Sequence, residues 1–298
     1  MNRGRTIHGK NHQADLQEVE SMENTKNILI IGDMPGYGKM GLAGMLPILS
    51  NLGHSVYNLP TALVSNNFDY GTFSVLDTTD YMRETIRVWQ TLGFPFDCIT
   101  TGFLASSDQV DLLRNFIDNQ RKEDLLVVTD PIMGDGGKLY NGSNQETVDN
   151  MRRLIGAADV IVPNLTEAEF LTGLCLGRET LTKAEVRRML DGLLSCGPRS
   201  AVVTSGREEE TGRHVVWGFD GRTGECFTVP YRFIKAHFPG TGDIFTSLLT
   251  DQLLKGCALP QAVGKAVNLL ERLIFMEQDV AERNNGIRVE KYLSVLTE

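Results

Sequence analysis

Phe238-Pro239-Gly240-Thr241-Gly242-Asp243 runs directly into Ile244-Phe245-Thr246-Ser247-Leu248-Leu249. Apolar residues at 244, 245, 248, 249 and 253 recur at helical spacing, which predicts a helix over 242–255 with Gly-Thr-Gly at its N-terminus. Unpaired amides and the positive end of the helix dipole favour an anion at such a terminus. Glycines let the backbone approach that anion with no side chain in the way. Asp243, in the first turn, points into the same space. An ordinary helix cap would use the same residue types, because Asp and Thr are favoured there. On these residues alone both readings stand.

Upstream, short apolar runs alternate with helical patterns. Strands are expected at 27–32 (NILIIG), 56–59, 62–64, 98–101, 125–129 (LLVVT), 159–162 and 201–204, with a hairpin joining 214–219 to 225–229. Helices are expected over 37–52, 77–92, 107–120, 145–155, 166–172, 181–195 and 259–277. Strands alternating with helices imply βαβ units, so the fold class is α/β, with a mostly parallel sheet covered by helices on both faces. In such sheets ligands sit at the carboxyl ends of the strands. That rule directs attention to Asp33, Ser65, Asn66, Phe103, Asp130 and the residues after it, Asn164, Glu167, Ser205 and the turn before Asp243.

Two further stretches carry chemistry. Asp130-Pro131-Ile132-Met133-Gly134-Asp135-Gly136-Gly137-Lys138-Leu139-Tyr140 follows the clearest strand. A carboxylate at a strand end, followed by a glycine-rich loop, suits a metal–phosphate site under a lid, although Gly and Asp also dominate plain turns. Pro163-Asn164-Leu165-Thr166-Glu167 reads as a helix start, and its Glu is also available to a metal. Mg²⁺ keeps several waters and needs only one or two carboxylates beside phosphate oxygens, and Asp130 with Glu167 meets that need.

Gly36-Tyr37-Gly38-Lys39-Met40-Gly41 matches G-x-G-x-x-G, but the acidic residue that a dinucleotide site requires at the end of the next strand is missing from Val56-Tyr57-Asn58-Leu59-Pro60. A P-loop is excluded because Asp33 and Met40 stand where Gly and Ser or Thr are needed. A formal net charge of −9 over 298 residues argues against nucleic acid as a partner. Five scattered cysteines with no C-x-x-C spacing indicate reduced thiols, and no apolar run reaches the ~18 residues of a membrane helix. These features fit a cytoplasmic protein with no membrane partner. Residues 1–26 are polar and read as a disordered or non-native extension ahead of one domain over 27–298.

Gly240-Thr241-Gly242-Asp243 resembles the anion-hole motif of the ribokinase-like superfamily, and residues 130–140, as D-P-x-x-G-D-x-G-K-L-Y, resemble its pyridoxal and pyridoxamine kinase branch. The resemblance covers about residues 27–280, with the motifs in the family's order. It implies a ribokinase-like fold, ATP and Mg²⁺ as cofactors, and phosphorylation of the 5'-hydroxymethyl group of a vitamin B6 vitamer. Asp243 would be the base, with Gly240, Thr241 and Gly242 forming the anion hole. Asp130 and Glu167 would serve the metal. Asp130, Asp135, Lys138, Tyr140, Asn164, Glu167, Thr204 and Ser205 would face the nucleotide. Asp33, Ser65, Asn66, Phe103 and Asp243 would face the B6 ring, Asp33 at its nitrogen or phenolic oxygen. A homodimer is implied by analogy.

The sequence departs from the B6 kinases at Asn67-Phe68-Asp69-Tyr70, where they carry His-Thr, and at Phe103, where they carry Tyr. Hydroxymethylpyrimidine kinase of thiamine biosynthesis is therefore the second reading, with sugar kinases third. A non-catalytic B6-binding protein on the same scaffold is the non-enzyme alternative.

Overall fold

The computed structural model describes residues 25–174 and 177–297, so nearly all of the extension expected over 1–26, together with Cys175, lies outside the described residues. The chain begins with β1 (Asn27–Tyr37), α1 (Gly41–Asn51), β2 (Ser55–Asn66), β3 (Val75–Asp77), α2 (Thr79–Leu92), β4 (Cys98–Thr101) and α3 (Ser107–Gln120). It continues through β5 (Leu126–Thr129), the small hairpin of β6 (Gly134–Asp135) and β7 (Lys138–Leu139), α4 (Gln145–Ile155), β8 (Val160–Ile161), α5 (Leu165–Thr172) and α6 (Lys183–Leu194). Strands β9 (Ser200–Arg207), β10 (His214–Asp220) and β11 (Glu225–Pro230) precede α7 (Thr241–Leu254) and α8 (Leu259–Glu277).

Nine strands form one sheet in the order β11-β10-β9-β8-β5-β4-β1-β2-β3. Strands β2, β1, β4, β5, β8 and β9 pair in parallel, and β3, β10 and β11 add antiparallel edges. Each central strand is apolar on both faces, as a doubly covered parallel sheet requires. Leu29 and Ile31 of β1 pack with Met82, Phe116, Met151 and Leu190 from α2, α3, α4 and α6. Ile28 and Ile30 face the opposite way, onto Leu42 and Ile48 of α1, Ile244 and Leu248 of α7, and Val263 of α8. Period-two alternation along β1 thus decides which helices cover which face.

The order reverses beside β1, whose neighbours are β2 on one side and β4 on the other. This switch point opens a crevice at the carboxyl ends of the strands. The helix expected from residue 37 starts instead at Gly41, because β1 stays paired with β2 as far as Tyr37 opposite Asn66. The two strands expected over 56–64 are one, β2, which absorbs Pro60 opposite a register shift between Gly32 and Met34.

Phe116 is fully buried at the centre of one face. Phe116→Ala is expected to cost about 3–5 kcal/mol of unfolding free energy, read from urea titration, with the midpoint lowered and the slope unchanged.

Candidate active site

Gly240 opens α7 in the left-handed region, at φ 82°, and a Cβ there would stand 2.5 Å from the Lys39 carbonyl oxygen. Only glycine fits that turn. No side chain caps α7, so its first-turn amides are free for another acceptor. Asp243, in the same turn, is 7% exposed, and its Oδ2 accepts a hydrogen bond from the Gly41 amide at 2.8 Å. The N-termini of α1 and α7 are thereby tied across the crevice.

Asp130 follows β5, its amide bonded to the Thr101 carbonyl at 2.9 Å. The Thr246 hydroxyl of α7 donates to Asp130 Oδ2 at 3.2 Å, and a Cβ on Gly242 would lie 3.4 Å from the same oxygen. Glu167 is almost fully buried in a capping box at the start of α5. Its Oε1 accepts the Met133 amide at 3.1 Å and its Oε2 the Asn164 amide at 2.8 Å. Asn164 Nδ2 donates to the Gly134 carbonyl at 2.8 Å, and the Gly137 amide donates to Thr166 Oγ1 at 2.8 Å. The glycine-rich hairpin is thus docked on the N-terminus of α5.

These groups line one cavity of about 700 Å³. Asp33, Asn66, Phe103, Asp130, Asp135, Tyr140, Asn164, Glu167, Thr204, Ser205 and the run from Gly240 to Asp243 all border it. Ser65 and Lys138 do not. The Ser65 hydroxyl is bonded to Asn66 Oδ1 and accepts the Ser74 amide, while Lys138 is exposed across the hairpin from Asp135. Ser205 has φ 60°, which among the described residues makes it the one non-glycine residue in the left-handed region. Strain of this kind gathers where a backbone is held for a ligand.

One end of the cavity was not anticipated. The segment from Tyr231 to Phe238 and the α8 residues Val267, Leu270, Glu271 and Ile274 form an apolar wall, with the Phe233 ring stacked on His214 at 4.4 Å. In sequence, the α8 stripe cannot be told from an ordinary core face.

The electrostatics are lopsided. Burial pushes Asp243 up to about 7, the charge of Asp33 adds to the rise, and the Gly41 amide opposes it. Burial carries Asp130 up to about 8, reinforced by Asp243 and opposed by the Thr246 hydroxyl. Asp33 rises to about 6 through burial, partly offset by its own amide. Glu167 stands well above its ordinary value through burial and then Asp130, against its backbone donors. From Asp33 to Asp243, Asp130 and Glu167, each carboxylate after the first feels the charge of the one before it, and no lysine lines the cavity. Among the described residues no three His, Cys, Asp or Glu groups close around a metal by themselves. Unpaired carboxylates of this kind fit an ion such as Mg²⁺, which brings its own waters and phosphate oxygens.

Residues 45–288 match the phosphomethylpyrimidine kinase family. The chain belongs to that family. This kinase is 36% identical to a Bacteroides thetaiotaomicron protein, provisionally assigned as a phosphomethylpyrimidine kinase and solved with pyridoxal, with a TM-score of 0.87 over 92% of this chain and 96% of that one. Pyridoxal kinase from Lactobacillus plantarum superposes with a TM-score of 0.81 at 27% identity, covering 91% of this chain and 96% of that one. A Schizosaccharomyces pombe protein provisionally assigned as a pyridoxal kinase is 28% identical over 75% of this chain. The Arabidopsis thaliana thiamine biosynthetic bifunctional enzyme TH1 is 27% identical over 90%. The matches span 66% and 50% of the lengths of those two proteins. The fold of the kinase is thus ribokinase-like, as its motifs implied.

Raised carboxylate values make the ligand-free kinase most stable when those groups are protonated. The native state binds more protons than the unfolded chain between the ordinary value of 3.8 and the folded values of about 6, 7 and 8. Stability from these groups therefore falls as pH rises through that window. Thermal melting of wild type against Asp130→Asn is expected to show a downward slope from pH 5 to 8 that is shallower in the variant.

Proposed function

We propose that this kinase transfers the γ-phosphoryl group of ATP to the 5'-hydroxymethyl group of a vitamin B6 vitamer: pyridoxal, pyridoxamine or pyridoxine. One observation carries the reading: Asp243 is buried at the uncapped N-terminus of α7, raised to about 7, with a single amide on its carboxylate. A base whose value lies near the working pH takes a proton efficiently. The hydroxyl proton passes to the free oxygen of Asp243 as the hydroxyl oxygen attacks the γ-phosphorus, whose bond to the β–γ bridging oxygen breaks so that ADP leaves with that electron pair. The amides of Thr241, Gly242 and Asp243 stabilise charge on the transferred group, where positioning and electrostatics do most of the work.

Asp130 and Glu167 would serve Mg²⁺, Glu167 through water because both its oxygens already accept amides. Bound there, the ion neutralises phosphate charge. Asp135, Tyr140, Asn164, Thr204 and Ser205 face the phosphate side, and the apolar wall from Tyr231 to Ile274 takes the nucleotide base. Phe68 and Phe103, with ring centroids 6.0 Å apart, offer the substrate ring an aromatic wall.

The pyridoxal carried by the Bacteroides protein favours the B6 reading. The family match favours a second, hydroxymethylpyrimidine kinase of thiamine biosynthesis. A phosphorylation assay on the purified chain with ATP and Mg²⁺, supplying the three vitamers and hydroxymethylpyrimidine separately, decides between them. Phosphate transfer to hydroxymethylpyrimidine alone would remove the B6 reading, and ligand binding with no transfer would leave a non-catalytic binder. Asp243→Asn is expected to lower kcat by at least about 100-fold while ATP still binds. Near-normal turnover in that variant would remove Asp243 as base. Asp130→Asn is expected to raise the Mg²⁺ concentration at half-maximal rate, and an unchanged Mg²⁺ titration would take Asp130 out of the metal site.

A further inference from the structure

Asp33 stands closer to the reacting position than its place at the end of a strand implied. Gly41 lies between it and Asp243. The Gly41 amide donates to Asp243 Oδ2 at 2.8 Å, and a Cβ on the other side of the same residue would meet Asp33 Oδ1 at 2.7 Å. The two carboxylates therefore flank a single backbone unit, and the charge of Asp33 is felt at Asp243.

The Asp33 carboxylate faces the cavity with its own backbone amide as its polar contact. Among the described residues no cationic side chain pairs with it. The cavity lining has no lysine, and its arginine, Arg232, belongs to the apolar wall, its guanidinium lying over Phe275 at 5.6 Å. His237, which also borders the cavity, stands 3.9 Å from Asp69. A half-buried carboxylate with only its own amide as donor and no cation opposite it has an oxygen available to a donor supplied within the site.

The substrate is placed to supply one. In both ring systems under consideration, the carbon next to the one bearing the reacting hydroxymethyl group carries a substituent of its own. It is an aldehyde in pyridoxal, an ammonium-bearing methyl group in pyridoxamine, a second hydroxymethyl group in pyridoxine and an amino group in hydroxymethylpyrimidine. A ring whose hydroxymethyl oxygen is at Asp243 presents that adjacent substituent to the neighbouring carboxylate, not its more distant phenolic oxygen.

We propose that Asp33 is the specificity-determining residue, selecting rings that carry a hydrogen-bond donor, and best an ammonium group, on the carbon adjacent to the reacting hydroxymethyl group. This rests on the function proposed above. An aldehyde offers Asp33 only another acceptor, and a site built to bond a donor discriminates strongly against an analogue that lacks it.

The test is kcat/KM for the four substrates in wild type, Asp33→Asn and Asp33→Ser, with thermal melting to establish that both variants fold. Wild type is expected to favour pyridoxamine over pyridoxal by at least about tenfold, the scale of one charge-assisted hydrogen bond. In Asp33→Asn, whose amide both donates and accepts, that ratio is expected to fall to within about threefold. A ratio unchanged in both variants, or an equal loss on all four substrates, would overturn the assignment. Isothermal titration with the same ligands reads the preference without turnover. A Kd ratio that depends on Asp33, with no phosphate transfer, would retain Asp33 as selector and discard the kinase reading. Failure of all four ligands to bind would discard both.

Discussion

Four carboxylates in a row without a cationic side chain, three buried and Asp33 half-buried, constrain everything around them. Asp33, Asp243, Asp130 and Glu167 are all held above their ordinary range first by loss of water, and the last three also by the charge of the carboxylate before them in the row. Such a row is unstable alone. It is kept in place by elements whose stability comes from elsewhere. Asp33 belongs to β1, which is packed on both faces; Asp243 belongs to α7, buried through most of its length; Glu167 is locked by a reciprocal cap with Asn164. The hydrophobic sheet thus carries the cost of a polar edge that protonation or a ligand relieves.

The backbone is adapted to the same end. Gly240 turns with its Cα against Lys39, Gly41 passes between two carboxylates, and Ser205 accepts a left-handed conformation that most side chains avoid. The hairpin over residues 134–139 is anchored through Asn164 and Thr166 to the helix that supplies Glu167. Movement of that hairpin would therefore reach the acidic row through α5.

Much of this was legible in the sequence. Helices α3, α4 and α8 fall where their periodicity puts them, because long amphipathic or apolar faces leave little choice. The Gly240–Asp243 turn was legible as a helix start from the apolar stripe that follows it, and its reading as an anion hole came from the family resemblance. Strand β3 and the hairpin of β6 and β7 were not, because three-residue and two-residue strands hold too little pattern to read. The start of α1 was misplaced because a strand pairing, invisible locally, holds residues 33–37 extended. Lys138 and Ser65 matched motifs yet lie outside the cavity lining: a motif fixes the neighbourhood of a residue, not the direction of its side chain. The apolar wall of α8 was missed for the opposite reason, since a residue lining an apolar cavity is chemically the same as one in the core.

The base and the selector proposed above belong to different elements. Asp243 is carried by α7, with Asp130 just after β5 and Glu167 in α5, whereas Asp33 lies within β1, Phe68 follows β2 and Phe103 follows β4. On the proposed reading, the motif around Asp243 speaks for the reaction, and the substrate is to be read from Asp33 and its neighbours.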